Sequence, residues 1–314
     1  MQSTYALGTR PAGPQTIDDA PHATQPVRAR LAEDCGRLPS FLIVGPPRTG
    51  TTWLYEVLSR QSNLPCPTKE TRFFDLHFHR GWQWYLDHFP RTRPGQPFGE
   101  VAPTYFASAA ARDRIAESLP GVKVIITFRH PVQRLVSLYR LKRAYGMVGW
   151  SLETALEKDP ELLGSSRYAT LLRQWRDRFP EEQLSVNLYD DLSGDPQGFI
   201  DRIVDFAGIR RFRLHPSQMG QVFSTAQLTE PRSFLATRAA TAMADWCKAR
   251  RLDSVVASVR NSSLIKLFLG GGDPFPEIPA PTMERISALV RPEIDQLEEM
   301  LGRDLSRWKT YTAA

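Results

Sequence analysis

Cysteine is scarce in this chain, and what there is does not suggest pairing. Its three cysteines, Cys35, Cys66 and Cys247, are far apart and odd in number. That spacing suggests neither a disulfide framework nor a thiolate metal site, and a reducing compartment is the default for such a sequence. Long apolar runs are missing too. No segment approaches the roughly 20 residues needed to span a bilayer, and the first forty residues hold no apolar signal core. Nowhere do five or more Lys or Arg follow one another, so the net charge of +6 is scattered rather than gathered into a nucleic-acid tract. These absences predict a cytoplasmic protein with no membrane span and no nucleic-acid partner. What is present is ordinary for a globular chain: 314 residues, 41% hydrophobic and 24% charged. The modest basic excess suits an anionic ligand.

The first forty residues hold five prolines and little periodicity, which predicts a flexible tail over 1–38. Residues 39–310 read as one domain. The run Phe41-Leu42-Ile43-Val44 is apolar on both faces, as a buried parallel strand is. Trp53, Leu54, Val57 and Leu58 then repeat at helical spacing. A second strand is predicted over 123–128, followed by Arg129-His130-Pro131, with Pro131 suited to the first turn of a helix. A third strand is predicted over 184–188, between amphipathic helices at 168–179 and 196–207. A last helix over 282–301 places Ile286, Leu289, Val290, Ile294, Leu297 and Leu301 on one face. Strands alternating with helices predict a single α/β domain, a parallel sheet flanked by helices. Residues 208–281 are less patterned: 246–259 reads as partly helical, and Gly270-Gly271-Gly272-Asp273-Pro274 as a loop.

One further absence is the most informative. Gly45-Pro46-Pro47-Arg48-Thr49-Gly50-Thr51-Thr52 has the Gly-x-x-x-x-Gly spacing of a phosphate-binding loop between a strand and a helix. Glycine lets consecutive N–H groups converge on an anion, and the following helix adds donors and a positive dipole end. Yet a nucleoside-triphosphate loop carries lysine after its second glycine, and here that residue is Thr51. Nor does the strand over 123–128 end in the Asp that would serve Mg²⁺; it ends in Phe128-Arg129. The formal charge at the loop comes from Arg48 instead. Arg129 sits at the carboxyl end of its strand, where open α/β sheets bind ligands. Ser137 lies in the next helix, on a face that can converge with Arg129. Guanidinium plus hydroxyl is a compact phosphate clamp, so the two stretches together suggest a ligand with two anionic ends.

In these motifs the chain resembles the sulfotransferases that use 3′-phosphoadenosine 5′-phosphosulfate (PAPS). Residues 41–54 are similar to their 5′-phosphosulfate loop, Pro-(Lys/Arg)-x-Gly-Thr-Thr-x-Leu. Residues 129–139 are similar to their 3′-phosphate motif, Arg-x-Pro-x-x-Arg-x-x-Ser-x-Tyr. The motifs come in the family's order, about eighty residues apart, and the resemblance covers roughly residues 40 to 310. It implies a P-loop-like site for PAPS, with Pro47, Arg48, Thr49, Gly50, Thr51, Thr52, Arg129 and Ser137 as donor-binding residues. Adenosine 3′,5′-bisphosphate would be the product, and no metal is implied.

Lys69-Glu70-Thr71-Arg72-Phe73-Phe74-Asp75 sets an ionisable group beside aromatic walls. Burial there raises a carboxylate's pKa and suits it to accept a proton near neutrality. The stretch resembles the Lys-Glu-x-His-Phe-Phe-Asp segment of the heparan sulfate and related glycan sulfotransferases, as does Gly81-Trp82-Gln83-Trp84-Tyr85 beyond it. That resemblance, to a soluble bacterial-type member of the branch, implies Glu70 as general base and Arg48 as the cation at the reacting group. Two positions depart from the branch: Arg72 replaces its histidine, and Val101 replaces the lysine that follows the glutamate at position 100. The implied reaction is sulfo transfer to an acceptor hydroxyl on a glycan or natural product. A peptidyl tyrosine acceptor, a P-loop kinase using ATP, and a decayed nucleotide-binding module are the alternatives. Trp82, Trp84, Tyr85 and Tyr105 are available to stack on an acceptor ring or to fill the core.

Overall fold

The computed structural model describes residues 38–89, 96–219, 229–249 and 272–310; all but the last residue of the predicted 1–38 tail lies outside them. Four strands form one sheet in the order β2-β1-β3-β4. They are β1 (Phe41–Gly45), β2 (Gly99–Val101), β3 (Lys123–Phe128) and β4 (Leu184–Leu188). All neighbouring strands are parallel, with Phe41 opposite Gly99 on one side and Lys123 on the other. The three strands expected from sequence are present, and β2 is added at an edge. This order makes β1 and β3 the point where the chain turns from one side of the sheet to the other. Ligands of open parallel sheets bind at such a point, beyond the carboxyl ends of the strands.

Side chains alternate across the sheet, as the two-residue period of a strand requires. Leu42, Val44, Val124, Ile126 and Phe128 enter one core, and Phe41, Ile43 and Ile125 enter the other. The helices that concern the site are α1 (Thr51–Leu58), α2 (Gly81–Leu86), α3 (Ala109–Ser118) and α4 (Pro131–Ala144). They continue with α5 (Leu152–Lys158), α6 (Pro160–Gly164), α7 (Tyr168–Arg176), α8 (Tyr189–Gly194), α9 (Pro196–Ala207) and α10 (Pro216–Met219). The last are α11 (Phe234–Ala249), α12 (Ala280–Leu301) and α13 (Ser306–Lys309). α1 and α9 pack on one face through Trp53, Leu54, Phe199 and Ile203. α4, α7 and α12 pack on the other through Leu135, Leu138, Trp175, Ile286 and Ile294. Trp175 is fully buried, and its Nε1 donates to the Phe106 carbonyl at 2.9 Å, so its polar atom is satisfied there.

The predicted face of α12 holds at Ile286, Val290, Ile294 and Leu297, which are buried, but not at Leu289, which is 47% exposed. Three and four residues after Ile286 are both near one face, and the core takes Val290. Residues 246–249 close α11; the remainder of the helix expected over 246–259, and Gly270 and Gly271 of the predicted loop, lie outside the described residues. Among the described residues no helix is long and apolar enough to cross a membrane.

Candidate active site

The glycine-bounded loop over 45–50 leaves the carboxyl end of β1 and returns as α1. Gly45 has φ 102 and Gly50 φ 87, both in the left-handed region that glycine tolerates. A Cβ on Gly45 would lie 2.4 Å from the Pro103 backbone, so the loop can run here only against a residue without a side chain. Arg48 also has a positive φ, 75. For a residue with a Cβ, that conformation costs about 1–2 kcal/mol, and its consequence is the aim of the side chain. Arg48 Nε donates to Ser137 Oγ at 2.8 Å. Thr49 turns the other way. Its hydroxyl bonds to the Pro46 carbonyl at 2.7 Å and to Thr127 Oγ1 at 2.6 Å, which pins the loop to β3. Any contact of Thr49 with a ligand is therefore left to its backbone. α1 opens directly behind, its first hydrogen bond running from Leu54 N to Gly50 O.

Arg129 follows β3 and is partly buried. Its guanidinium lies 4.9 Å over the ring of Tyr189 and 3.5 Å from Gln133 Oε1, while its Nε is buried with no hydrogen-bond partner. It forms no ion pair among the described residues. Burial pushes its pKa down, Tyr189 opposes the shift, and the charge of Arg48 adds to it. Two guanidinium groups thus share one crevice at the ends of β1 and β3, an arrangement that an anion relieves. The other arginine of the motif, Arg134, plays a different part. It is fully buried and donates to the Leu162 carbonyl and Ser166 Oγ, tying α4 to the end of α6.

The segment 69–75 closes the third side. An aromatic block fixes it: Phe73 and Phe74 are fully buried, and Phe73 stacks on Tyr85 at 4.6 Å. Arg72, at φ 56, starts a single π-helical turn, Phe73–His77, and its Nε pairs with Asp75 Oδ2 at 2.6 Å. Such turns are frequent at functional sites. Lys69 and Glu70 are 5% and 3% exposed, so the pair is not solvated. Lys69 Nζ donates to Glu70 Oε1 at 3.2 Å and reaches Thr51 Oγ1 at 3.5 Å. The second carboxylate oxygen, Oε2, is buried without a partner. Burial raises the Glu70 pKa, and Lys69 followed by Arg72 draws it back.

Glu100 of β2 lies beneath the segment. It accepts from Thr71 N at 2.7 Å and Thr71 Oγ1 at 2.8 Å, and from the hydroxyls of Tyr85 and Tyr105, each at 3.1 Å. Burial pushes its pKa up to about 7 against the pull of those four donors.

A model of the sulfotransferase domain matches residues 38–251. The chain belongs to the sulfotransferase-domain family. Over 201 residues it is 33% identical to the bifunctional heparan sulfate N-deacetylase/N-sulfotransferase 2 of Bos taurus, covering 57% of this chain and 23% of that protein. Over 190 residues it is 32% identical to the heparan sulfate glucosamine 3-O-sulfotransferase 3A1 of Mus musculus, covering 58% and 48%. The chain thus spans about a quarter to a half of the length of these relatives. The crystal structure of a sulfotransferase from Alicyclobacillus acidocaldarius superimposes with a TM-score of 0.61 at 20% identity, covering 87% of this chain and all of that one. At that identity the likeness concerns the fold.

In the sulfotransferase domain Arg48 contacts Ser137 directly, Lys69 links Thr51 to Glu70, and Arg129 lies close enough to Arg48 for their charges to interact. Three contributors were not legible as such in the sequence. Glu100 was marked only as the glutamate before Val101, and its four donors come from residues up to 29 positions away. Tyr189, under Arg129, follows β4 with no motif to mark it. Lys69 was visible beside Glu70, but its reach to α1 depends on the tertiary fold. Tyr85 and Tyr105 are core, fully buried and bonded to Glu100, and Trp82 is buried with them. Only Trp84 of the four rings considered for an acceptor is partly exposed.

Proposed function

We propose that the domain transfers the sulfo group of PAPS to a hydroxyl of a glycan or small-molecule acceptor. The observation that carries this reading is the 2.8 Å bond between Arg48 and Ser137. It joins the two motifs at the switch point of the sheet, and Lys69 links Thr51 of the same loop to a buried carboxylate. The residues fit the donor: Arg129 offers a buried, unpartnered Nε, and Gly50 leaves a backbone turn that a Cβ would crowd against Tyr189 and Leu192 at 3.2 Å. When bound, the donor supplies the sulfo group and departs as adenosine 3′,5′-bisphosphate. Glu70 takes the hydroxyl proton as the acceptor oxygen bonds to sulfur and the bridging sulfur–oxygen bond breaks. Arg48 and the N–H groups at the start of α1 meet the charge that develops there, a preorganised electrostatic contribution. Arg129 and Ser137 hold the 3′-phosphate and so set the position of the reacting end.

The relatives named for heparan sulfate favour a glycan among acceptors, and the cysteine usage favours a cytoplasmic setting. A screen with labelled PAPS against glycans, alkyl alcohols, phenols, tyrosine peptides and amines tests the reading. Label on a hydroxyl is the expected result. Label on amines alone would make it an N-sulfotransferase. No transfer to any acceptor, with phosphoryl transfer from ATP and Mg²⁺ instead, would make it a kinase.

A further inference from the structure

The loop lacks a lysine in sequence, but a lysine stands against it in space. Lys69 arrives from a different segment and places its ammonium 3.5 Å from Thr51 Oγ1, the side chain at the position where a nucleotide hydrolase loop keeps its lysine. The same ammonium lies 3.2 Å from Glu70 Oε1. It is a buried cation between the loop and the Glu70 carboxylate. The carboxylate's other oxygen has no partner, which leaves it as the acceptor for a proton brought by a substrate.

We propose that Lys69 is a second working cation of this site, holding Glu70 in its ionised, proton-accepting form while presenting positive charge at the mouth of the donor loop. The proposal rests on the reading of Glu70 as general base. Its physical basis is the cost of burying charge. A carboxylate taken out of water and left unpaired shifts its pKa upward and neutralises, and a protonated Glu70 accepts nothing. Arg72, on the same segment, also draws the Glu70 pKa down, but its Nε is engaged with Asp75 at 2.6 Å. Asp75 itself pushes the Glu70 pKa up. From α1, Glu56 feels the Lys69 ammonium. From β2, Glu100 is occupied by Thr71, Tyr85 and Tyr105. Lys69 is the only one of these groups hydrogen-bonded to the Glu70 carboxylate in the described contacts. At the instant of transfer the pairing changes. The proton that arrives on Glu70 removes its negative charge, while negative charge grows on the leaving oxygen. The ammonium then faces the loop side without a competing carboxylate, so proton removal and charge stabilisation reinforce one another.

The test is Lys69→Met, with Lys69→Arg as the variant that keeps the charge. Binding of adenosine 3′,5′-bisphosphate is measured first by thermal shift, then kcat against pH with an alkyl alcohol acceptor. Lys69→Met is expected to bind the nucleotide within a few-fold of the parent and to lose ~10²-fold or more in kcat at pH 7. Because the base must be ionised and has lost its cation, the acidic limb of its kcat profile moves to higher pH by at least about one unit. Lys69→Arg keeps the limb near the parent's position. A Lys69→Met enzyme whose limb does not move overturns the proposal, as does a Lys69→Arg enzyme whose limb moves as far as that of Lys69→Met. If Lys69→Met does not fold, Lys69→Arg and Lys69→Gln decide it by the same limb. Glu70→Gln separates the two readings. If it retains parental kcat, the assignment of the base fails; if it is inactive while Lys69→Met keeps the parental limb, only the role of Lys69 fails.

Discussion

Arg48 and Ser137 stand 89 positions apart in the chain and 2.8 Å apart in the fold. The bond is made possible by the left-handed backbone at Arg48, φ 75, which turns the guanidinium across the crevice toward α4. Strained backbone at a ligand site is part of how such sites are aimed. Arg48→Ala is expected to lower kcat by ~10² or more, the scale for removing one preorganised donor. Steady-state kinetics decide it. A rise in KM with kcat intact would reduce Arg48 to ground-state binding.

Arg129 offers a partly buried guanidinium whose Nε lacks a partner, and the neighbouring charge of Arg48 adds to the pressure for an anion. Adenosine 3′,5′-bisphosphate is therefore expected to raise Tm well above the rise given by AMP, since a ligand of the native state stabilises by mass action. In Arg129→Ala the preference should collapse, with affinity for the bisphosphate down about 10- to 100-fold, as for loss of a charged hydrogen bond worth ~1.5–3 kcal/mol. Equal shifts for the two nucleotides in the parent protein would remove the 3′-phosphate from the assignment.

Glu70→Gln keeps the size of the side chain and loses the proton acceptor. Donor-product binding should be unchanged, and turnover on an alkyl alcohol should drop ~10²–10⁴-fold. Phenols, being more acidic, should suffer less. Asp75→Asn is the control, because Asp75 is also buried with a raised pKa. If Glu70→Gln keeps kcat on the alcohol while Asp75→Asn does not, the base is Asp75.

Much of this site was legible in the sequence because its parts are local. A strand–loop–helix with two glycines and an arginine can be recognised from consecutive residues, and β1, β3, β4 and the helices after β1 and β3 lie where periodicity places them, whereas α8, directly after β4, carries no such pattern. What was not legible depends on residues brought together by the sheet. Of the two uses open to Tyr85 and Tyr105, an acceptor ring or the core, the fold takes the core, where both hydroxyls donate to Glu100. Thr49, expected at the ligand, spends its hydroxyl on Thr127 of β3. Lys69 and Glu70 are neighbours in the chain beside Phe73 and Phe74, but the reach of Lys69 to Thr51 of α1 depends on the fold, as does the aromatic block around Phe73 and Phe74, assembled from α2, the π-helical turn and the residues after β2.

Glu100 gives a prediction about stability rather than turnover. Its four donors favour the ionised carboxylate, but complete burial outweighs them and pushes its pKa up to about 7. An unfolded glutamate titrates near its ordinary value of about 4.3. Between those values the folded state holds the extra proton, so folding stability from this group is fully present below about pH 4 and declines as pH rises to about 7. The size of the decline is on the order of 3 kcal/mol, from about 1.4 kcal/mol per unit of pKa difference. Glu70 and Asp75 are shifted in the same direction, so the parent's own profile does not isolate Glu100. The difference between parent and Glu100→Gln does. Glutamine cannot ionise, and its amide offers two hydrogens where the carboxylate accepted from Tyr85 and Tyr105, so Glu100→Gln is expected to be the less stable protein at pH 5. As pH rises to 8 the parent loses the contribution of Glu100 and the variant does not, so the gap should narrow by an amount comparable to that decline. Urea unfolding of both proteins at pH 5, 6, 7 and 8 reads the gap directly. A gap that stays constant across the four pH values would mean that Glu100 remains ionised in the fold, with its four donors outweighing burial.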